Sequence, residues 1–266
     1  MAYFYGVDSY EKFVKEFQRL SGLDLNFYKE NQMKRRINSF MTTRGHSGDY
    51  TGFLNALKVN SELYDAFFKH LTINVTQFFR DAGLWETFRE KILPALVQKR
   101  SSLKIWSAGC SAGQEAYTIA MILTEYFPTV RYSILGTDID VNVLKRAREG
   151  IYEERDFAST PPFFLEKYFT LADKASKTYQ IKDSLKKNIT FREQNLLTDH
   201  FESGFDIIAC RNVVIYFTDE AKDILYQKFY NSLNSGGILF TGSTEHLFGR
   251  DNLGFKLITS FFYEKQ

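Results

Sequence analysis

The stretch KIWSAGCSAGQEAYTIA, residues 104–120, is followed one helix length later by YSILGTDID, residues 132–140. In the first, an apolar run leads into a loop of small residues and then into a helical pattern; the second is another apolar run closed by Asp138. A strand, a small-residue loop, a helix and a second strand ending in an acid are how a doubly wound sheet begins a nucleoside-binding crevice. The stretch therefore specifies a ligand class before any reaction.

Working outward, strands are expected at 103–107, 132–137, 205–210 and 237–241, and helices at 114–127, 141–148 and 219–233. Alternation of this kind predicts parallel βαβ units. Residues 255–264 read as an edge strand or hairpin, and the insertion 149–197, with strand-like stretches 177–181 and 188–192, reads as a small antiparallel appendage. Upstream the period changes. Tyr10, Phe13, Val14, Phe17 and Leu20 recur at helical spacing, as do Met33, Ile37, Phe40 and Met41. Further helical patterns cover 50–57, 62–71 behind a cap at Ser61, and 84–97 with a kink at Pro94. The expected fold is α/β: a doubly wound, Rossmann-like domain over 101–266, with the β appendage inserted at about 150–194, preceded by an all-helical domain over 1–100.

With 44% hydrophobic and 17% aromatic residues the chain can bury a real core, and a net charge of +2 makes only the distribution of charge informative. Lys29, Lys34, Arg35, Arg36 and Arg44 face the single acid Glu30 in that segment. This is a local basic patch rather than a polybasic tail, so nucleic acid is the weaker partner class. Two cysteines, Cys110 and Cys210, are too few for a disulfide framework, although a crosslink between them is conceivable if their strands are neighbours. The first residues lack a basic segment followed by an apolar one, and no run approaches the ~18 apolar residues of a membrane helix. A cytoplasmic protein without membrane insertion, metal or oligomeric partner is expected.

Three nucleoside ligands compete. A dinucleotide loop starting at Gly109 would need glycine where Ser111 and Gln114 stand, and no Gly-Lys-Ser or Gly-Lys-Thr follows to form a phosphate loop. A nucleoside without phosphates suits the pattern better: Ala108, Gly109 and Gly113 permit close backbone approach, and Asp138 accepts from ribose hydroxyls. S-adenosylmethionine (SAM) is such a ligand. The competing reading has Asp138 and Asp140 merely capping the next helix, a reading favoured for Asp140 and not for Asp138.

Four motifs, SAGCSAGQEAYTIA, GTDID, CRNVVIYF and TINVTQFFRD, together resemble the bacterial chemotaxis protein methyltransferases over nearly the whole chain. The resemblance implies SAM-dependent transfer of methyl to glutamate side chains of chemoreceptors, giving glutamyl methyl esters and leaving S-adenosylhomocysteine. By matching motif it places Asn74, Thr76 and Arg80 along the cofactor and substrate site, Glu115 near the methionine part, and Asp138 on the ribose. Asn195 and Leu196 would flank the adenine, Arg211 and Asn212 would lie near the cofactor at the fourth strand's end, and Tyr216 would sit beside the transferred methyl. Gln114 and Ala116 stand where the family often shows Glu and Pro, leaving Glu115 as the acid of that loop. The helix carrying Lys34, Arg35 and Arg36 is expected to meet the acidic helical cytoplasmic region of the receptor. The glycine-free turn KDSLKK, 182–187, predicts independence from a receptor C-terminal pentapeptide.

The chemistry suits these residue types. A glutamate carboxylate, with an ordinary pKa of about 4.3, is already a nucleophile at neutral pH and needs no general base. What it needs is aim, and orientation recovers roughly 7–11 kcal/mol of barrier in well-placed reactants. Arg80 and Tyr216 are the expected aiming groups. The Pro-Pro-aromatic motif of amino-group DNA methyltransferases does not occur after the fourth strand, where Cys210, Arg211, Asn212 and Val213 stand instead; Pro161, Pro162 and Phe163 follow no apolar strand.

Overall fold

The computed structural model describes residues 10–72, 74–247 and 253–266. Its contacts divide the chain into two compact units, Met1–Ile73 with Tyr216–Lys222, and Asn74–Ile215 with Asp223–Gln266. The expected change of pattern near residue 100 coincides with the first strand, whereas the units divide earlier, after residue 73.

The first unit contains α1 (Tyr10–Ser21), α2 (Glu30–Thr43), α3 (Tyr50–Val59) and α4 (Ser61–Thr72). Each helix turns its apolar stripe inward, and the core they share is aromatic: the Phe53 and Phe67 rings meet edge-on at 4.9 Å, and Phe17 meets Phe67 at 5.3 Å. Such pairs contribute about 0.5–1.5 kcal/mol each beyond simple burial. Asp49 caps α3 by accepting the Gly52 N–H at 2.7 Å. The cap of α4 is Asn60, not Ser61: Asn60 Oδ1 accepts the Leu63 N–H at 2.9 Å, which makes Ser61 the first helical residue. A distant segment completes the unit. Lys29 N–H donates to the Tyr216 carbonyl at 3.0 Å, Thr218 N–H donates to that of Phe27 at 2.9 Å, and Tyr28 and Phe217 pack edge-on at 5.1 Å.

The second unit begins with α5 (Ala82–Thr87) and α6 (Leu93–Val97). Between them Phe88–Ile92 forms a π turn in which Leu93 N–H reaches back to the Phe88 carbonyl. Pro94 has no N–H and would crowd the carbonyl four residues back, and the wider turn just before it absorbs that conflict. Then come β1 (Ser102–Ala108), α7 (Gln114–Tyr126), β2 (Arg131–Asp138), α8 (Val141–Glu149), β3 (Ile151–Glu153), α9 (Pro162–Tyr168), β4 (Phe169–Asp173) and β5 (Thr178–Ile181). The remainder is α10 (Asp183–Lys186), β6 (Ile189–Glu193), β7 (Phe205–Cys210), α11 (Asp219–Ser232), whose residues 219–222 belong to the first unit, β8 (Leu233–Thr241), β9 (Phe255–Thr259) and β10 (Phe262–Lys265).

Seven strands form one sheet in the order β6-β2-β1-β7-β8-β10-β9, parallel through β8 and closed by the antiparallel β9–β10 hairpin. Every residue of β7 is buried, as expected of a strand covered on both faces. Ile105 of β1 sits opposite Ile134 of β2 on one side and Ile207 of β7 on the other. The chain winds outward from β1 through β2 to β6 and then returns to β7 on the opposite side of β1. The strand order therefore reverses between β1 and β7, where ligands bind in open sheets of this kind.

The appendage is the antiparallel sheet β3-β5-β4. The stretch expected to join it from 188–192 instead forms β6, pairing parallel with β2, with Arg192 opposite Thr137. Periodicity identified a strand but not its sheet. That choice was made by Phe191, whose ring covers Gly136 so closely that a Cβ there would lie 2.6 Å from it. Residues 182–187 are likewise no hairpin turn, since they contain α10, which leads into β6. The true hairpin between β4 and β5 is KASK, 174–177, which also contains no glycine.

Candidate functional site

At the end of β1 the chain turns sharply. Gly109 adopts φ +75, and a Cβ on it would lie 2.5 Å from Val213 Cγ2; Gly113 adopts φ +87, with Phe191 Cζ and Ala147 Cβ at 2.9 and 3.0 Å from such an atom. No other residue type fits either position without displacing a neighbour. Ser111 also lies in the left-handed region, and its N–H donates to Asp138 Oδ2 at 2.8 Å. Gly109 and Cys110 N–H both donate to the Thr137 carbonyl at 2.8 Å. The loop after β1 is thus sewn to the end of β2.

Asp138 is buried and accepts a second bond from Asp140 N–H at 3.0 Å. Burial pushes its carboxyl up to about 6, with the backbone donors opposing that rise. Asp140 caps α8 by accepting the Asn142 N–H at 2.9 Å, and its other oxygen accepts from Asn74 Nδ2 at 2.7 Å. Gln194 N–H donates to the Asp138 carbonyl at 2.9 Å, so Asn195 and Leu196 follow directly at the end of β6. Leu196 is buried, and its carbonyl accepts from Lys228 Nζ at 3.0 Å. Asn74, Gly109, Asp138, Asn195 and Leu196 are therefore brought together at the ends of β1, β2 and β6.

A second group gathers between the ends of β1 and β7. Glu115, in the first turn of α7, accepts from Ser107 Oγ at 2.7 Å and lies 3.6 Å from Arg211 Nη1. Burial raises its carboxyl above the usual range, with Arg211 and Ser107 opposing. The Arg211 side chain is 3% exposed, donates from Nη2 to the Arg80 carbonyl and Asp81 Oδ2, both at 2.9 Å, and lies over the Phe240 and Trp85 rings. Arg211 thus binds the Arg80–Asp81 turn to the sheet, and its buried Nε has no hydrogen-bond partner. Arg80 is half-buried and its Nη1 donates to the Val75 carbonyl at 3.1 Å; Thr76 is half-buried in the same loop.

Asn212 takes φ +60, and its N–H donates to Glu245 Oε2 at 2.6 Å. Glu245 went unrecognised in the sequence. The only signal was an acid in the turn GSTE directly after the last parallel strand. Tyr216 and the basic trio lie in the helical unit. Lys34 is exposed, 5.1 Å over the Tyr10 ring, and Arg35 is exposed, but Arg36 is half-buried and donates to the His70 carbonyl. Burial lowers the Arg36 pKa, and Tyr216 is the principal group opposing that shift. Cys110 and Cys210 are both buried free thiols, and burial raises both pKa values well above the ordinary thiol range, which disfavours the thiolate that disulfide exchange requires.

These residues fit SAM. Two glycines let the loop after β1 pack tightly against Val213, Phe191 and Ala147, an acid ends β2, another acid opens α7, and the loop 109–113 holds no cation for a phosphate. Among the described residues no group of His, Cys, Asp and Glu is placed to hold a metal, and no helix is long and apolar enough to cross a membrane.

Comparison with known proteins agrees with this geometry. Residues 74–262 match the family model "CheR methyltransferase, SAM binding domain", and residues 8–72 match "CheR methyltransferase, all-alpha domain". The chain is 41% identical over 257 residues to a chemotaxis protein methyltransferase of Listeria monocytogenes, covering 96% of this chain and 97% of that one. A Borreliella burgdorferi protein of the same name is 35% identical over 259 residues, covering 92% and 90%. A probable chemotaxis protein methyltransferase of Rhizobium etli is 34% identical over 258 residues, covering 91% and 95%.

Proposed function

Because the chain belongs to the CheR family of SAM-dependent chemotaxis methyltransferases, we propose that it methylates glutamate side-chain carboxylates of chemoreceptors, forming glutamyl methyl esters. One observation supports a carboxylate acceptor above all. The acids at the crevice are already engaged: Asp138 by two backbone N–H groups, Glu115 by Ser107 and Arg211, and Glu245 by backbone N–H groups. None stands ready to take a proton from an alcohol or amine. Arg80, by contrast, presents a cation in a half-buried loop beside them. Such a site suits an acceptor that arrives ionised.

Bound SAM supplies an electrophilic methyl group on a sulfonium. In this reading Asp138 accepts from the ribose hydroxyls, Asn195 and Leu196 flank the adenine, and Glu115 holds the methionine end, with Asn74, Thr76, Arg211 and Asn212 completing the cofactor contacts. Arg80 aims the incoming carboxylate through one N–H, since a tight two-pronged pairing would lower its nucleophilicity. Tyr216 donates a hydrogen bond to one of its oxygens. Lys34, Arg35 and Arg36 were expected to form the receptor-facing patch; Lys34 and Arg35 supply its exposed charge and steer acidic receptor helices.

Transfer of tritiated methyl from SAM to receptor-bearing membranes tests this directly. Label released as methanol by mild base is expected for esters; base-stable label would mean methylation on nitrogen and would overturn the reading. We also propose independence from a receptor tail pentapeptide, supported by the glycine-free hairpin 174–177. Micromolar binding of an isolated tail peptide in calorimetry would contradict that.

A further inference from the structure

At the turn after the last parallel strand lies a buried acid with no role in the proposed chemistry. Glu245 is 3% exposed. Its Oε1 accepts N–H groups from Val213 at 2.8 Å and Val214 at 2.9 Å, while Oε2 accepts those of Asn212 at 2.6 Å and Gly242 at 2.8 Å. Four backbone donors on one carboxylate leave it no capacity for a ligand and no function as a base. The cradle is also shaped around it. A Cβ on Gly242 would lie 2.5 Å from Glu245 Oε2 and 2.9 Å from Asn212 N, so only glycine lets the carboxylate reach the turn after β7. The strand ends are already in register there, with Cys210 opposite Thr241, and Thr241 Oγ1 donates to the Glu245 carbonyl at 2.7 Å.

We propose that Glu245 is a positioning residue for methyl transfer: it holds the turn 212–214 in the one conformation that forms the wall of the cofactor crevice. Two consequences of that hold are visible. Asn212 is kept at φ +60, a conformation that costs a non-glycine residue energy unless its surroundings compensate. Val213 is pressed against Gly109, since its Cγ2 occupies the space of the missing Cβ. The wall of the crevice on the β7 side thus depends on an acid that touches neither cofactor nor acceptor. A chain with three consecutive amides in a turn has no secondary structure to satisfy them, and the carboxylate replaces that structure.

The inference rests on the methyl transfer proposed above, and the test separates the two. Glu245→Gln keeps the volume but places an NH2 group against backbone donors. Amide hydrogen exchange followed by mass spectrometry is expected to show at least tenfold faster exchange in the peptide spanning 211–216, with β1 and β7 protected as in wild type. In receptor methylation at saturating SAM, kcat is expected to fall at least tenfold with the KM for receptor within about threefold. Glu245→Asp, which retains the charge, is expected to recover part of both; if Glu245→Gln does not fold, Gly242→Ala supplies the same displacement of the carboxylate. Faster exchange spread uniformly over the sheet, or kcat unchanged with normal exchange at 211–216, overturns the proposal. Wild-type protein inactive on receptors overturns the reading of the substrate instead, while the exchange result still decides the role of Glu245.

Discussion

Arg80 and Asp138 show how individual residues acquire their roles. The Arg80 backbone is immobilised from two sides, by Trp85 Nε1 at 2.9 Å and Arg211 Nη2 at 2.9 Å on its carbonyl, while its guanidinium is held by a single bond to the Val75 carbonyl. Arg80→Ala therefore removes the proposed aiming group and keeps the loop. Methyl transfer is expected to fall at least a hundredfold, with S-adenosylhomocysteine binding still measurable by calorimetry; wild-type turnover would remove Arg80 from the reaction. Asp138 carries a pH signature, because burial raises its carboxyl to about 6. A carboxyl whose folded pKa exceeds its unfolded value of about 3.9 binds more protons when folded, so its contribution to stability falls as pH rises from about 4 to about 6. If Asp138 holds the ribose as proposed, cofactor binding runs the other way, since the hydroxyls would donate to the ionised form. Affinity for S-adenosylhomocysteine is expected to be full above pH 6 and to weaken by up to about tenfold per unit below it; a flat profile from pH 5 to 8 would exclude Asp138 as the ribose acceptor. The residue type and the strand before it were legible in the chain. The raised pKa was not, because it comes from burial by segments remote in sequence.

Among the elements, α2 separates charge pattern from charge display. Lys34, Arg35 and Arg36 are adjacent in the chain, yet successive helical residues point about 100° apart, and the third turns toward α4 and donates to the His70 carbonyl. Charge reversal of Lys34 and Arg35 together is therefore expected to raise the receptor KM several-fold at low salt, an effect that shrinks at 0.5 M salt; an unchanged low-salt KM would remove α2 from recognition. Reversal at Arg36 would disturb the helix pair as well and could not be interpreted alone. Element boundaries followed from local chemistry in most places: β7 spans 205–210 as expected, and α7 begins at Gln114. They diverged where a neighbour decided. Residues 189–193 became the edge of the main sheet because Phe191 fills the space over Gly113 and Gly136.

In the molecule as a whole, chain order and spatial order part company. Residues 216–222, between β7 and the body of α11, belong with the first helices rather than with the sheet that flanks them in sequence. Phe217 is 4% exposed and packs against Tyr28, so Phe217→Ala is expected to cost the helical unit about 3–5 kcal/mol. Hydrogen exchange checks this: protection should fall in peptides from α2 and the segment before it, while β1 and β7 keep theirs. Loss confined to the sheet would show that the segment does not stabilise the helices. The alternation of strands with helices, the glycine-bearing loop, the acid after the second strand and the four family motifs are local features, and they alone identified a SAM-binding doubly wound domain that follows a helical one in the chain. Local patterns suffice there because strand and helix periods, left-handed backbone and capping are set within a few residues. Folding in three dimensions was needed to settle which sheet received residues 189–193, that Arg36 turns inward, that Arg211 ties down the Arg80–Asp81 turn, and that Glu245 binds the turn at 212–214. Each depends on which distant groups exclude water from a site and satisfy its donors, and no spacing along a chain encodes that.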